Sequence, residues 1–251
     1  MTNDTTSLLC NHRSIRKFEQ RDIAQPLLDE ILTCGMRASN TGNMQVYSVI
    51  VTREEPLRSE LLKLHFGQCN TAPVVLTVCA DVNRYHHWCR QSGCDEPYSN
   101  LLWLLSATVD ASLCAQNIAV AAESAGLGLC FLGTVLYNTE AIANLLHCPE
   151  GVMPVITMAL GYPAEEGRMS ERLGLDGTVH YETYHDYTDS DIERTHRVRE
   201  EFPFNQEMVR QNGTRNLAEI FTKLRYPLAD NLAISQSLQK FIDSRWNRHD
   251  A

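Results

Sequence analysis

Four potential cations, His12, Arg13, Arg16 and Lys17, share the stretch His12-Arg13-Ser14-Ile15-Arg16-Lys17-Phe18 near the amino terminus. Guanidinium groups offer a planar fork of donors that matches a phosphate, and a serine hydroxyl and an imidazole can complete the oxygen shell. The segment therefore reads as an anion site. A basic patch at a helix start is the alternative on these residues alone.

A second cluster could hold a metal. His86, His87, Cys89 and Cys94, with His65 and Cys69 farther back, are zinc-ligand types. Their spacings match none of the usual ligand pairs, and Asp95-Glu96-Pro97 follows at once. We assign no metal site, and read Tyr85, Trp88 and Tyr98 as aromatic residues of an insertion bordering a substrate slot.

At 251 residues and 43% hydrophobic content the chain can bury a sizeable core. Its net charge of -9 opposes a nucleic-acid or anionic-membrane partner, so a local basic cluster stands out. The amino terminus has no charged start leading into an apolar run, and no apolar stretch is expected to reach membrane-spanning length. A cytoplasmic protein is the expectation. The nine cysteines are odd in number and lack a Cys-x-x-Cys pair, which favours reduced thiols; Cys34, Cys79, Cys114 and Cys130 sit in apolar segments and receive no chemistry.

These residues must be positioned by alternating helices and strands. Pro26 and the spacing of Leu27, Leu28, Ile31, Leu32 and Met36 predict a helix, and residues 39–43 a polar loop. Strands are expected at 46–52, 73–79, 128–134 and 154–160. Helices are expected at 57–64, at 101–125 as an apolar central helix stopped by Gly126, and from Asn138 or Thr139, either of which could cap it, to about Leu146. Beyond about 165 the chain turns polar, with thin apolar stripes near 189–201, 216–224 and 230–244. Residues 1–165 are read as a core, and 166–251 as an extension that wraps it or a partner subunit.

The cation stretch, the polar loop ending in Gln45, Ala125-Gly126-Leu127-Gly128 with Phe131-Leu132-Gly133-Thr134, and Leu160-Gly161-Tyr162-Pro163 together resemble the nitroreductase superfamily over roughly residues 8–172. Length and extension resemble its larger branch of NADPH-dependent flavin reductases and oxygen-insensitive nitroreductases. The resemblance implies an α+β fold with a central, mainly antiparallel sheet flanked by helices, and an FMN-binding homodimer with flavin at the interface. It implies that His12, Arg13, Ser14 and Arg16 hold the phosphate, ribityl chain and ring edge. Asn40 would meet the ring from below, and the Gln68 amide its pyrimidine edge. Phe131 and Leu132 would join the cofactor-binding segment, Gly133 and Thr134 would bring small residues to the ring from the partner side, where a larger side chain would clash, and Arg172 would close over the phosphate.

In that scheme hydride passes from NADPH or NADH to flavin N5, and then to a quinone, nitro compound or free flavin in a ping-pong cycle. The protein itself then supplies no catalytic nucleophile. A flavin-binding redox sensor, or a specialised branch acting on flavin or a halogenated substrate, stays open as the alternative. Ser170 stands where the branch usually has a lysine, which implies a lower flavin potential. Arg210 and Arg215 flank Gln211-Asn212-Gly213-Thr214 and match a clamp for the 2′-phosphate of NADPH; two solvated arginines are the rival reading.

Overall fold

The computed structural model describes residues 3–95 and 99–247. It divides into two compact units, residues 1–168 with 236–251, and residues 169–235. The expected boundary at 165 lies close to the first division. The final residues group with the first unit, where Phe241 and Trp246 are buried in its main apolar cluster.

The first unit begins with α1 (Asp4–Cys10), followed by α2 (Gln25–Gly35), β1 (Tyr47–Thr52), α3 (Leu57–Leu64), β2 (Val74–Asp81), α4 (Asn83–Gln91) and α5 (Leu101–Ser124). β3 (Gly128–Phe131), α6 (Thr139–Leu145) and β4 (Val152–Gly161) complete the sheet region. The strands form one antiparallel sheet in the order β1-β2-β4-β3. The fold is therefore α+β, as the sequence implies.

β2 is buried at every position, so its alternating side chains supply two cores. Val74, Leu76 and Val78 join Leu28, Ile31, Ala111 and Ile118 beneath α2 and α5. Val75 joins Leu61, Leu62 and Ile142 beneath α3 and α6 on the opposite face.

α5 corrects one expectation, because it is long and apolar enough to cross a membrane. It is instead the core helix here, with Leu104, Ala107, Ala111, Cys114, Ile118 and Ala122 facing the sheet. The opposite stripe, Leu102, Leu105, Val109 and Leu113, is exposed at the three- and four-residue spacing of one helix face. The segment expected to finish β3 turns instead into a 3-10 turn at Gly133–Leu136. Asn138 precedes α6 without capping it through its side chain. That amide donates to the Leu64 carbonyl at 2.6 Å.

The second unit carries α7 (Asp189–Glu200), α8 (Pro203–Asn212) and α9 (Leu217–Glu219), and the chain closes through α10 (Leu228–Arg245). Thr188 and Asp191 form a reciprocal capping box that fixes the start of α7. Buried groups in this unit are few and include the polar Thr195, Asn205 and Glu219.

Candidate functional site

The cation stretch is extended and laid along the sheet edge. Ile15 donates its amide to the Leu129 carbonyl at 2.8 Å, Glu19 to Tyr162 at 2.9 Å, and Ala164 donates back to Lys17 at 2.9 Å. Ile15 and Phe18 are buried while Arg16 and Lys17 are exposed. Gly128 permits this approach: a Cβ there would stand 2.7 Å from the Ile15 side chain. Gly167, at φ +73°, is held against the same isoleucine.

Carboxylates temper the cluster. His12 Nδ1 lies 2.6 Å from Glu123 of α5, and Arg13 meets the highly exposed Glu166 at 3.4 Å. Glu165 accepts the backbone amides of Arg16 and Lys17 at 2.7 and 3.2 Å, which fixes the backbone and leaves their side chains aside. Among the described residues no carboxylate hydrogen-bonds the Arg16 guanidinium. Hydrogen bonding with Cys69 first, then the charge of Arg16, the Ser14 hydroxyl and the charge of His12, hold the Cys130 thiol of β3 below its ordinary value despite burial.

Gln68, Gly133 and Thr134 rest on the same foundation. Their neighbours Cys69, Leu132 and Val135 pack with Ile15 and Cys130 in the α3/α6 core. Gln68 is exposed in a tight turn whose residues Phe66, Gly67 and Cys69 have φ near +60°. Phe131 is exposed and Leu132 is buried. A Cβ on Gly133 would meet nothing within 4 Å, so packing within this chain does not demand a glycine there. His65, which contributes to the α3 end of this region, was not singled out for this chemistry in the sequence. Its Nδ1 lies 2.8 Å from Thr134 Oγ1.

Asn40 stands on the other face of the sheet, in the α2–β1 loop. Its side-chain oxygen accepts the Gln45 amide at 3.0 Å, and buried Asp110 of α5 accepts the Thr41 amide at 2.9 Å. Ala38 and Val46 on either side of this loop pack in the α2/α5 core, whereas Ile15 beside Arg16 packs in the α3/α6 core. A cleft of about 740 Å³ between α1, α2 and α5 touches the cation stretch only through Glu123, and Leu9, Cys34 and Asn117 among others line it.

The remaining expected residues belong to the second unit. Arg172 Nη1 donates to the carbonyls of Glu171 and, weakly, Ser170, at 3.1 and 3.5 Å. Arg210 pairs with Glu207, and Arg215 pairs with Glu219 at 2.6 Å. Gly213, at φ +62°, closes α8 between them.

The His/Cys segment forms α4. His86 is buried with Nε2 3.5 Å from Ser99 Oγ, and Tyr85 packs its ring 5.8 Å from Trp88 and 5.9 Å from Trp103. Among the described residues no group of three His, Cys, Asp or Glu side chains could hold a metal ion. Glu96, Pro97 and Tyr98 lie outside the described residues.

The donor set fits a flat monophosphate ligand: free guanidinium and hydroxyl groups for an anion, an exposed amide that both donates and accepts, and unobstructed backbone at Gly133. The Nitroreductase family model matches residues 9–162. A Bacillus subtilis protein named FMN reductase (NADPH) is 29% identical over 85% of this chain and 87% of its own length. A Staphylococcus aureus NADPH-dependent oxidoreductase is 30% identical over 74% of this chain and 76% of its own. A crystal structure of a Bacteroides fragilis oxidoreductase superposes with a TM-score of 0.93 at 41% identity, covering 95% of this chain and 98% of the other. By family match, sequence identity and fold together, this chain belongs to the nitroreductase family.

Proposed function

We propose that the chain is an FMN-dependent oxidoreductase that passes hydride from NADPH or NADH to small acceptors such as quinones, nitroaromatics or free flavin. The observation that carries this reading is the shared foundation of Ser14, Arg16, Gln68, Gly133 and Thr134 on one apolar cluster, with donors left unspent on their exposed side. Relatives named for FMN and NADPH support it. Bound FMN would supply the hydride chemistry, accepting from the nicotinamide and donating to the second substrate in one slot, a ping-pong cycle.

The protein's own residues bind and orient. Arg16 and Ser14 offer phosphate donors, with His12 and Arg13 beside them. His12 is steered by Glu123, and Glu165 fixes the backbone that presents Arg16. Gln68 presents its amide from a turn of constrained backbone. Arg172 would add a phosphate contact.

A homodimer with the flavin at its interface accounts for two otherwise unexplained features. Leu102, Leu105, Val109 and Leu113 form an apolar stripe of the kind that marks a subunit contact. The loop carrying Asn40 packs through Ala38 and Val46 on one core and the Arg16 stretch through Ile15 on the other, so a second copy could complete the site. We further propose that residues 166–251 stabilise that assembly by wrapping the core or its partner.

Ser170 is the one feature that favours the sensor alternative, because a hydroxyl stabilises developing negative charge less than an ammonium would. Steady-state kinetics with NADPH and a quinone separate the two readings. Parallel double-reciprocal lines with sustained turnover support the reductase; intersecting lines contradict the shared slot, and negligible turnover favours the sensor.

A further inference from the structure

His65 sits at the carboxyl end of α3 and is fully buried. Its Nδ1 contact with Thr134, together with the Asn138 amide on the Leu64 carbonyl, ties the loop carrying Gln68 to the turn carrying Gly133 and Thr134. The other ring nitrogen, Nε2, is buried with no hydrogen-bond partner among the described residues. Burial lowers the imidazole to about 4, so the ring is neutral near pH 7 and carries one proton.

That proton has two possible seats. On Nε2 it would create a buried N–H without an acceptor, and the Thr134 hydroxyl would spend its only hydrogen on Nδ1. On Nδ1 it is donated to Thr134 Oγ1, and the group left unpaired is a lone pair. Orphaned buried N–H donors are the rarer case, and leaving one unmade carries the full desolvation penalty. Thr134 is only partly buried, and with the Nδ1 proton donated to it the hydroxyl keeps its own hydrogen for a further acceptor.

We propose that His65 keeps its proton on Nδ1 and is a positioning residue, turning the Thr134 hydroxyl outward as a hydrogen-bond donor to bound flavin. This rests on the reading of the site as an FMN site. Donated to an atom that gains negative charge on reduction, that hydrogen would favour the reduced cofactor, so the pair would tune the potential as well as the shape of the site.

The test combines the nitrogen NMR spectrum of His65 with flavin occupancy, melting temperature and midpoint potential in the FMN-loaded dimer or monomer as purified. The wild type should show a protonated Nδ1. Thr134→Val, which keeps the shape and removes the hydroxyl, and His65→Leu should each shift the two-electron reduction equilibrium about tenfold toward oxidised flavin, about 30 mV. Thr134→Ser and His65→Asn, whose amide can donate from the Nδ1 position, should restore it. The double variant His65→Leu, Thr134→Val should shift no further than either single change, because both remove one interaction. A protonated Nε2, an unmoved potential at full FMN occupancy, or additive shifts would overturn the proposal. Should His65→Leu fail to fold, the threonine pair carries the same test. A wild-type protein that does not bind FMN overturns the functional reading along with this one, whereas bound FMN with an unmoved potential overturns this one alone.

Discussion

Asp110, buried in the middle of α5, accepts both the backbone amide and the hydroxyl of Thr41, at 2.9 and 3.0 Å. The loop carrying Asn40 is thereby fastened to the core helix. Gly42, Asn43 and Gln45, all with φ between 51° and 57°, need such an anchor to hold their turn. Asp110→Ala should destabilise the protein by about 1.5–3 kcal/mol, since it removes the charged acceptor of the Thr41 amide and hydroxyl. Asp110→Asn retains one acceptor oxygen and should lose less. Denaturant titration measures both, and equal stabilities for the alanine variant and wild type would contradict the anchor.

Arg16→Ala and Arg172→Ala should each weaken FMN binding roughly ten- to a hundredfold, the value of one charge-assisted contact of about 1.5–3 kcal/mol. The fold should survive, because both side chains are exposed. Fluorescence titration with FMN reads the affinity. Unchanged binding by either variant would remove that arginine from the phosphate site.

The alternation of apolar residues made most of the first unit legible from sequence. β2 and β4 are runs of buried apolar residues bounded by glycine or proline, and α2 and α5 carry helical spacing. α1, α4 and α8 escaped notice because they bury almost nothing: α1 has no buried residue, α4 only His86 and α8 only Asn205. The cations of the site were visible because they are adjacent in sequence. Their moderators were not, since Glu123 meets His12 across 111 positions and Glu165 meets Arg16 across 149. The His65–Thr134 pair spans 69 positions and has no spacing signature. Lone-pair and proton accounting in a buried site needs coordinates.

Arg210 and Arg215 bear on the choice of donor. Both are ion-paired, yet their side chains are 78% and 83% exposed, so solvent screens each pair and a phosphate can compete for the guanidinium. Arg210→Ala with Arg215→Ala should raise the NADPH Michaelis constant about tenfold or more and leave that for NADH nearly unchanged. Equal changes for the two donors, or none, would contradict a 2′-phosphate clamp.

Acid should expose His65. Burial holds its folded pKa at about 4, below the unfolded imidazole value near 6.5, so in that interval the unfolded chain binds the additional proton. His65 therefore subtracts stability as pH falls from about 6.5 to 4, by up to roughly 3 kcal/mol in total, and subtracts nothing above that window. His65→Asn has no such titration. The stability advantage of wild type over this variant should shrink across that window, and an advantage independent of pH would contradict the buried neutral imidazole.

Leu105→Glu with Val109→Glu places two charges on the exposed stripe of α5. The pair should shift the protein from dimer to monomer by light scattering and release flavin, while circular dichroism remains that of a folded chain. An unaltered dimer would place the subunit contact elsewhere.

The most direct measurement is the visible spectrum of the purified protein under anaerobic titration with NADPH. A yellow flavin band near one FMN per chain, bleached by about one equivalent of NADPH and restored by a quinone, is the predicted result. A colourless protein that takes up no added FMN, or a bound flavin that neither NADPH nor NADH reduces, would contradict the account.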